Sequence, residues 1–450
     1  MQRTCDPRRN GGRMGWLAAL GLLVLVAQLV ACSSAPTRPE PAPLPPDPKR
    51  LAVREAWRVN LGGEVSFPLV LQSAPSVLAG GDGVSGSLSD GVSSGGTVIG
   101  VATDRGEVSL LDARTGEPIW RVGLNSSLSA GVGHDGRSVA VVTRDNELVL
   151  LQAGKELWRQ RLSAPSYTAP LVAGARVFVL GADRSVSAYD GQTGYRLWQQ
   201  TRSGDPLILR QSGLLMAVGD NLVVGFGGRL AGLNPMNGAS RWETVVASPR
   251  GTNDVERLAD LVAGVARQGT DVCVRAFQAS VACVDARAGQ GGGALRWSQK
   301  AAGATGLSGD ASAGDDALVL GVEFDGTIQA WRRSTGQAVW SNTSLRLRAL
   351  SAPLMLGDGL VVGDEAGRLH FLARIDGSLQ ARHETWAYGR QGPCRIEGQG
   401  LAARYACQER DEGQAIVAAP ILAGNTLVVV SRAGVVHGLR LGQAAAQARP

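Results

Sequence analysis

The chain has 450 residues, 61 of them glycine, with 19% charged side chains and a formal net charge of +6. Residues 1–31 hold four arginines and one aspartate; without them, 41 basic and 38 acidic residues leave a net charge of +3. So balanced a surface carries no electrostatic footprint for nucleic acid, and the glycine count with short valine and leucine runs indicates a turn-rich β protein.

Arg3, Arg8, Arg9 and Arg13 precede the apolar run Trp16–Val30, which Leu29-Val30-Ala31-Cys32 closes. This is the pattern of a bacterial lipoprotein signal, predicting removal of 1–31 and a lipid on Cys32. The run is short for a membrane span. Two or three acyl chains would make a firm anchor. Ser33 follows the cysteine where an inner-membrane retention aspartate would sit, which implies the outer membrane. Prolines at 36, 39, 41, 43, 45, 46 and 48 then predict an extended tether over 32–55.

One phrase recurs through the remainder. LLDARTGEPIW (Leu110–Trp120) returns as AYDGQTGYRLW (Ala188–Trp198), GLNPMNGASRW (Gly232–Trp242), AWRRSTGQAVW (Ala330–Trp340) and, degenerate, FLARIDGSLQA (Phe371–Ala381). Each repeat is an apolar run, a turn, a second run, a Gly turn and a Trp, which reads as antiparallel hairpins. Successive Trp intervals of 38, 40, 44, 55 and 43 fit one four-stranded sheet per repeat, a propeller blade. The segment Ala419–Leu441 has three strands and no Trp, while Trp57–Leu61 is a Trp strand with nothing before it. Their pairing would close a ring of eight blades and remove exposed edges. The expectation is an all-β, eight-bladed propeller over 56–442, with inserts near 80–96, 248–264 and 386–415 and a flexible tail at 443–450. The repeated Trp, Gly and Asp are architecture: Trp between blades, Gly at positive φ, Asp112, Asp190 and Asp285 capping turns.

Little in the chain points to catalysis. Gly81–Gly86 matches GxGxxG but has no strand before it and no helix after it. The four histidines, His134, His370, His383 and His437, lack metal spacing, and no cofactor or metal site is predicted. Beyond Cys5 and Cys32, Cys273 and Cys283 flank one hairpin and could bridge it or lie on its opposite sides. Cys394 and Cys407 could close the loop of the 386–415 insert. Function is better sought where the phrase is interrupted: at Pro206–Arg210, apolar and Arg-bearing, and at Ser248–Val262, which lengthens one Trp interval to 55.

The lipobox, proline tether and blade grammar, with RGTNDVERLAD (Arg250–Asp260) and LRALSAPLMLGDGLVVGDEAGRLH (Leu347–His370), resemble the BamB family of outer-membrane β-barrel assembly lipoproteins. The resemblance covers about 32–442. It implies a non-enzymatic accessory subunit, anchored at the outer membrane and facing the periplasm. Its partners would be the POTRA domains of BamA, other subunits of that assembly machinery (the BAM complex) and outer-membrane protein clients. The implied contact surface is Leu207, Leu209 and Arg210, with Arg257 and Asp260 in the inserted loop; the family's second acidic position falls on Val262 here. Two other readings compete. One is a quinoprotein dehydrogenase using pyrroloquinoline quinone and calcium, which shares the TGxxxW repeat but calls for a vicinal Cys pair that this chain lacks. The other is a propeller that binds peptides or polysaccharide.

Overall fold

The structure, a computed structural model, describes residues 40–73, 97–203, 207–248, 252–253, 257–310, 314–385, 395–397, 404–406 and 414–443. The signal at 1–31, Cys32, the 80–96 insert, Cys394, Cys407 and the tail after Gln443 lie outside them. The chain divides into two units at Pro41/Ala42, and the described strands all belong to the second, from Ala42 onward.

Every strand-rich repeat becomes a blade. Eight four-stranded antiparallel sheets form, each ordered from an innermost to an outermost strand. Blade 1 comprises Val70–Ser73, Thr97–Ala102, Glu107–Asp112 and Pro118–Gly123, and blades 2 to 7 repeat that order along the chain. Blade 8 takes Ile421–Ala423, Thr426–Val430 and Val435–Gln443 from the end of the chain and Leu51–Asn60 from its beginning. One further pairing, Arg395–Glu397 with Arg404–Ala406, lies in the insert between blades 7 and 8.

The strands read as continuous apolar runs because both faces of each blade are buried. In blade 2, Val139, Val141, Val149 and Leu151 pack toward blade 1, while Ala140, Val142, Leu148 and Leu150 pack toward blade 3. The core is therefore divided into eight apolar clusters, each shared by two neighbouring blades.

The repeated phrase joins these layers. A register shift in each outermost strand falls next to its Trp, or next to Ala381 in blade 7, as between Leu110 and Leu111 opposite Trp120, and increases the local twist of the strand. There the indole covers the Gly of the following turn: a Cβ on Gly194 would lie 2.8 Å from Trp158 and one on Gly336 2.5 Å from Trp297. The indole N–H of Trp158, Trp198, Trp242, Trp297 and Trp340 donates to the carbonyl of Gly191, Pro235, Arg287, Arg333 and Arg374 respectively, each in the next blade. Asp112 Oδ1 accepts from the N–H of Arg114 and Thr115, and Asp190 Oδ1 from Gln192 and Thr193, so these carboxylates cap their turns. Cys273 and Cys283 stand opposite each other on adjacent strands of blade 5 and form a buried disulfide.

The first strand begins earlier than the tether reading places it. Leu51–Arg54, within 32–55, already pairs with Arg440–Gln443. Its alternating Leu51 and Val53 pack against the blade 7–8 cluster. Nor does Ala42–Arg50 stand clear of the ring. It forms a strap along blade 7: Ala42 N donates to Arg346 O, Arg50 N to Gln380 O, and Arg348 and Arg382 donate to the carbonyls of Ala42 and Pro45. Proline removes strap donors but leaves its carbonyls needing partners, and ring arginines supply them to Ala42 and Pro45.

Candidate functional site

Strands alternate in direction, so the links between blades and the turns between second and third strands share one face. Both interruptions of the phrase are such links. Leu207–Arg210 joins blade 3 to blade 4, and the 248–264 insert joins blade 4 to blade 5.

The structure brings the two links together. Leu209 N donates to Asp260 Oδ2 at 2.8 Å, across 51 residues of sequence. Asp260 is itself fixed by its backbone: Phe277 N donates to its carbonyl at 2.9 Å, and the next residue, Leu261, donates to Gly227 O at 3.0 Å. Gly227 has φ +58°, and a Cβ there would meet Arg184 Nη1 at 2.6 Å, so glycine favours both the turn and the position of Arg184 beside the link.

Beside this bond the first link carries its contact groups outward. Leu207 is 39% exposed, and its carbonyl lies 3.5 Å from Arg184 Nη2. Arg210 is exposed with its guanidinium over the Tyr167 ring, 5.4 Å from the centroid, a cation–π contact that restrains a long side chain. Ile208 and Leu209 are half-buried and line a cavity of about 60 Å³ with Tyr167, Phe226 and Asp260. Arg257 lies in the second link, its N–H donating to Asn253 O at 3.3 Å. Arg257 is thus in the same link as Asp260, while Leu207, Leu209, Arg210 and Asp260 form one continuous surface.

Val262 is 2% exposed and donates from its backbone to Arg275 O, so this position of the link is a packed apolar residue. Below it, the Arg275 side chain is buried between Gly303 and Gly321 and pairs with Glu323 at 3.1 Å. Burial pushes this guanidinium below its ordinary value, and Glu323 opposes the shift.

Tyr167, Arg184 and Phe226 are the site residues that sequence reasoning did not find. Tyr167 lies in the link between blades 2 and 3, Arg184 in the turn between the second and third strands of blade 3, and Phe226 at the end of the second strand of blade 4, and no short motif marks them. Among the described residues of this groove, no hydroxyl or thiol hydrogen-bonds to a histidine or carboxylate, and no three potential metal ligands converge. The arrangement is suited to docking: an apolar ledge, a supported cation and one carboxylate tied to the backbone.

Residues 104–342 match the family model described as outer membrane protein assembly factor BamB. A relative of that name from Burkholderia pseudomallei is 33% identical over 431 residues, covering 94% of this chain and 98% of its own. The chain belongs to the BamB family. The BamB crystal structure from Moraxella catarrhalis superposes with a TM-score of 0.65 at 21% identity, covering 86% of this chain and all of that one. A quinohemoprotein alcohol dehydrogenase from Comamonas testosteroni superposes with a TM-score of 0.56 at 16% identity, over 89% of this chain and 78% of that one, a likeness of fold alone. Membership in the BamB family accords with the eight-bladed ring.

Proposed function

We propose that this chain is a non-enzymatic accessory lipoprotein of outer-membrane protein assembly, anchored through Cys32 and facing the periplasm. It binds the POTRA domains of BamA through Leu207, Leu209 and Arg210, seated on Asp260 and flanked by Arg257. It thereby assists the insertion of β-barrel proteins by the BAM complex. The observation that carries this reading is the Leu209–Asp260 bond, which joins two links far apart in sequence into one surface. The pairing of an apolar residue with a supported Arg is the chemistry of an interface centre.

The double substitution Leu209→Ala/Arg210→Ala is expected to abolish co-purification of BamA from solubilised envelope while leaving thermal unfolding unchanged. Retained co-purification would overturn the site. A stoichiometric quinone chromophore in the purified protein would overturn the non-enzymatic reading.

A further inference from the structure

The outer two strands of several blades match charge with charge. Arg121 pairs with Glu107 in blade 1, Arg159 with Glu147 in blade 2, Arg229 with Glu243 in blade 4 and Arg368 with Glu384 in blade 7. Blade 8 departs from this rule. Arg54 of its outermost strand stands directly opposite Arg440 of the third, both exposed. Neither has a carboxylate within ion-pair distance among the described residues: Glu55 is engaged by Arg58 and His437, and Asp47 by the N–H groups of Lys49 and Arg382. Like charges directly opposed across two strands are destabilising, so the pair costs stability in the isolated ring.

These arginines sit on a ribbon, Leu51–Arg54 with Arg440–Gln443, whose last residues run beyond the second strand of the blade. Lys49 and Arg50 lead into it, both exposed. Between ribbon, strap and blade 7 lies a cavity of about 380 Å³ lined by Asp47, Lys49, Ala52, Arg382 and His383 among others. Arg382 Nε and His383 Nε2 have no protein partner there. Lys49 and Arg382 therefore add two cations beside the ribbon, against the one carboxylate of Asp47.

We infer that this ribbon and the strap leading into it dock on the anionic phospholipid headgroups of the bilayer that anchors the chain. Charge complementarity supports the choice of occupant, since each cation near an acidic membrane strengthens binding about fivefold. Chain length supports it too. Ten residues, Cys32–Pro41, separate the anchored cysteine from the strap, and ten extended residues reach at most about 35 Å. The chain-length support rests on the reading of Cys32 as the lipidated residue, whereas the charge complementarity does not.

The test uses the full mature chain carrying Cys32→Ser, so that no acyl chain holds it to lipid. It is mixed with vesicles of phosphatidylcholine alone, or of phosphatidylcholine with phosphatidylglycerol, and sedimented. Binding to the acidic vesicles only is expected, weakened at least fivefold by Arg54→Ala/Arg440→Ala. Thermal unfolding of that variant, expected to be unchanged or raised, shows that it is folded. Equal binding to neutral vesicles, or an undiminished variant, would overturn the proposal. Competition by millimolar glycerophosphate as complete as omission of the acidic lipid would overturn the bilayer as occupant in favour of a free anion. The variant keeps the surface proposed for BamA, so loss of vesicle binding with retained co-purification separates this inference from the functional reading.

Discussion

The indole of Trp57 lies against Gly116, so that a Cβ on Gly116 would come within 2.4 Å of its ring. Trp57 belongs to the strand that enters the ring from the N-terminus, and Gly116 to the turn between the third and fourth strands of blade 1. This contact is the blade 8–1 version of the one made by Trp158 on Gly194 and Trp340 on Gly377. The blade 7–8 junction differs. Ala381 occupies the Trp position, and blade 8 offers no Gly turn to cover because its outermost strand arrives from elsewhere. Leu51 and Val53 fill that junction instead.

Gly116 has φ +77°, so Gly116→Ala adds both backbone strain and a clash with Trp57. A loss of about 1–3 kcal/mol is expected, read as a lowered midpoint in thermal or urea unfolding. Gly123→Ala, where a Cβ meets nothing within 4 Å, is expected to change little. Equal midpoints for the two variants would remove the latch as a determinant of ring stability.

The ring was legible in the sequence because its requirement is local. Gly, Trp and the capping Asp of each turn fall within about a dozen residues, and the same phrase answers the same need in each blade. The orphan Trp57 and the Trp-less Ala419–Leu441 segment even gave the closure. The strap was not legible. Proline density predicts a tether, but the carbonyls of Ala42 and Pro45 accept from Arg348 and Arg382, some 300 positions away. The site was half legible: each interrupted link stood out by itself, whereas the Leu209–Asp260 bond and the Tyr167 platform depend on how three blades meet.

Asp260 acts through an acceptor, which makes a graded test possible. Asp260→Asn retains an oxygen for Leu209 N–H, whereas Asp260→Ala leaves that donor without it. Hydrogen bonds to charged groups contribute about 1.5–3 kcal/mol, so Asp260→Ala should weaken BamA binding about tenfold or more and Asp260→Asn clearly less. Titration calorimetry with the purified POTRA region reads the difference. Equal affinities for the two variants would mean that the carboxylate does not position the Leu207–Arg210 link.

The strap predicts a local effect without a global one. Arg348→Ala/Arg382→Ala removes the side-chain donors to the Ala42 and Pro45 carbonyls. Limited proteolysis near Ala42–Arg50 should accelerate severalfold, because a segment that opens locally is cleaved without unfolding the domain. The midpoint for the whole ring should shift by less than about 1 kcal/mol. Unchanged cleavage would show that Leu44 packing and the backbone bonds hold the strap unaided.

Stability should fall between pH 7.5 and 5.5, earlier than carboxylate titration requires. His134, His370 and His437 are buried, and burial holds each imidazole below its ordinary value of 6.5. His134 shows why its neutral form is preferred: Nε2–H donates to Val70 O while Nδ1 accepts from Gly136 N, a bond that protonation of Nδ1 would break. Below pH 6.5 the unfolded chain takes up protons that the folded ring resists, so unfolding is favoured as pH falls. Each such group contributes at most about 1.4 kcal/mol per pH unit. The carboxylates act lower down. Asp285, held at about 2 chiefly by its bond from Arg287, contributes stability present above the ordinary carboxylate range and lost only as pH falls toward that value. Urea midpoints measured across pH 7.5–5.5 should therefore decline, and His134→Gln should make the decline shallower whatever it does to stability at pH 7.5. A slope unchanged by that substitution would mean that His134 does not titrate differently in the folded and unfolded chains.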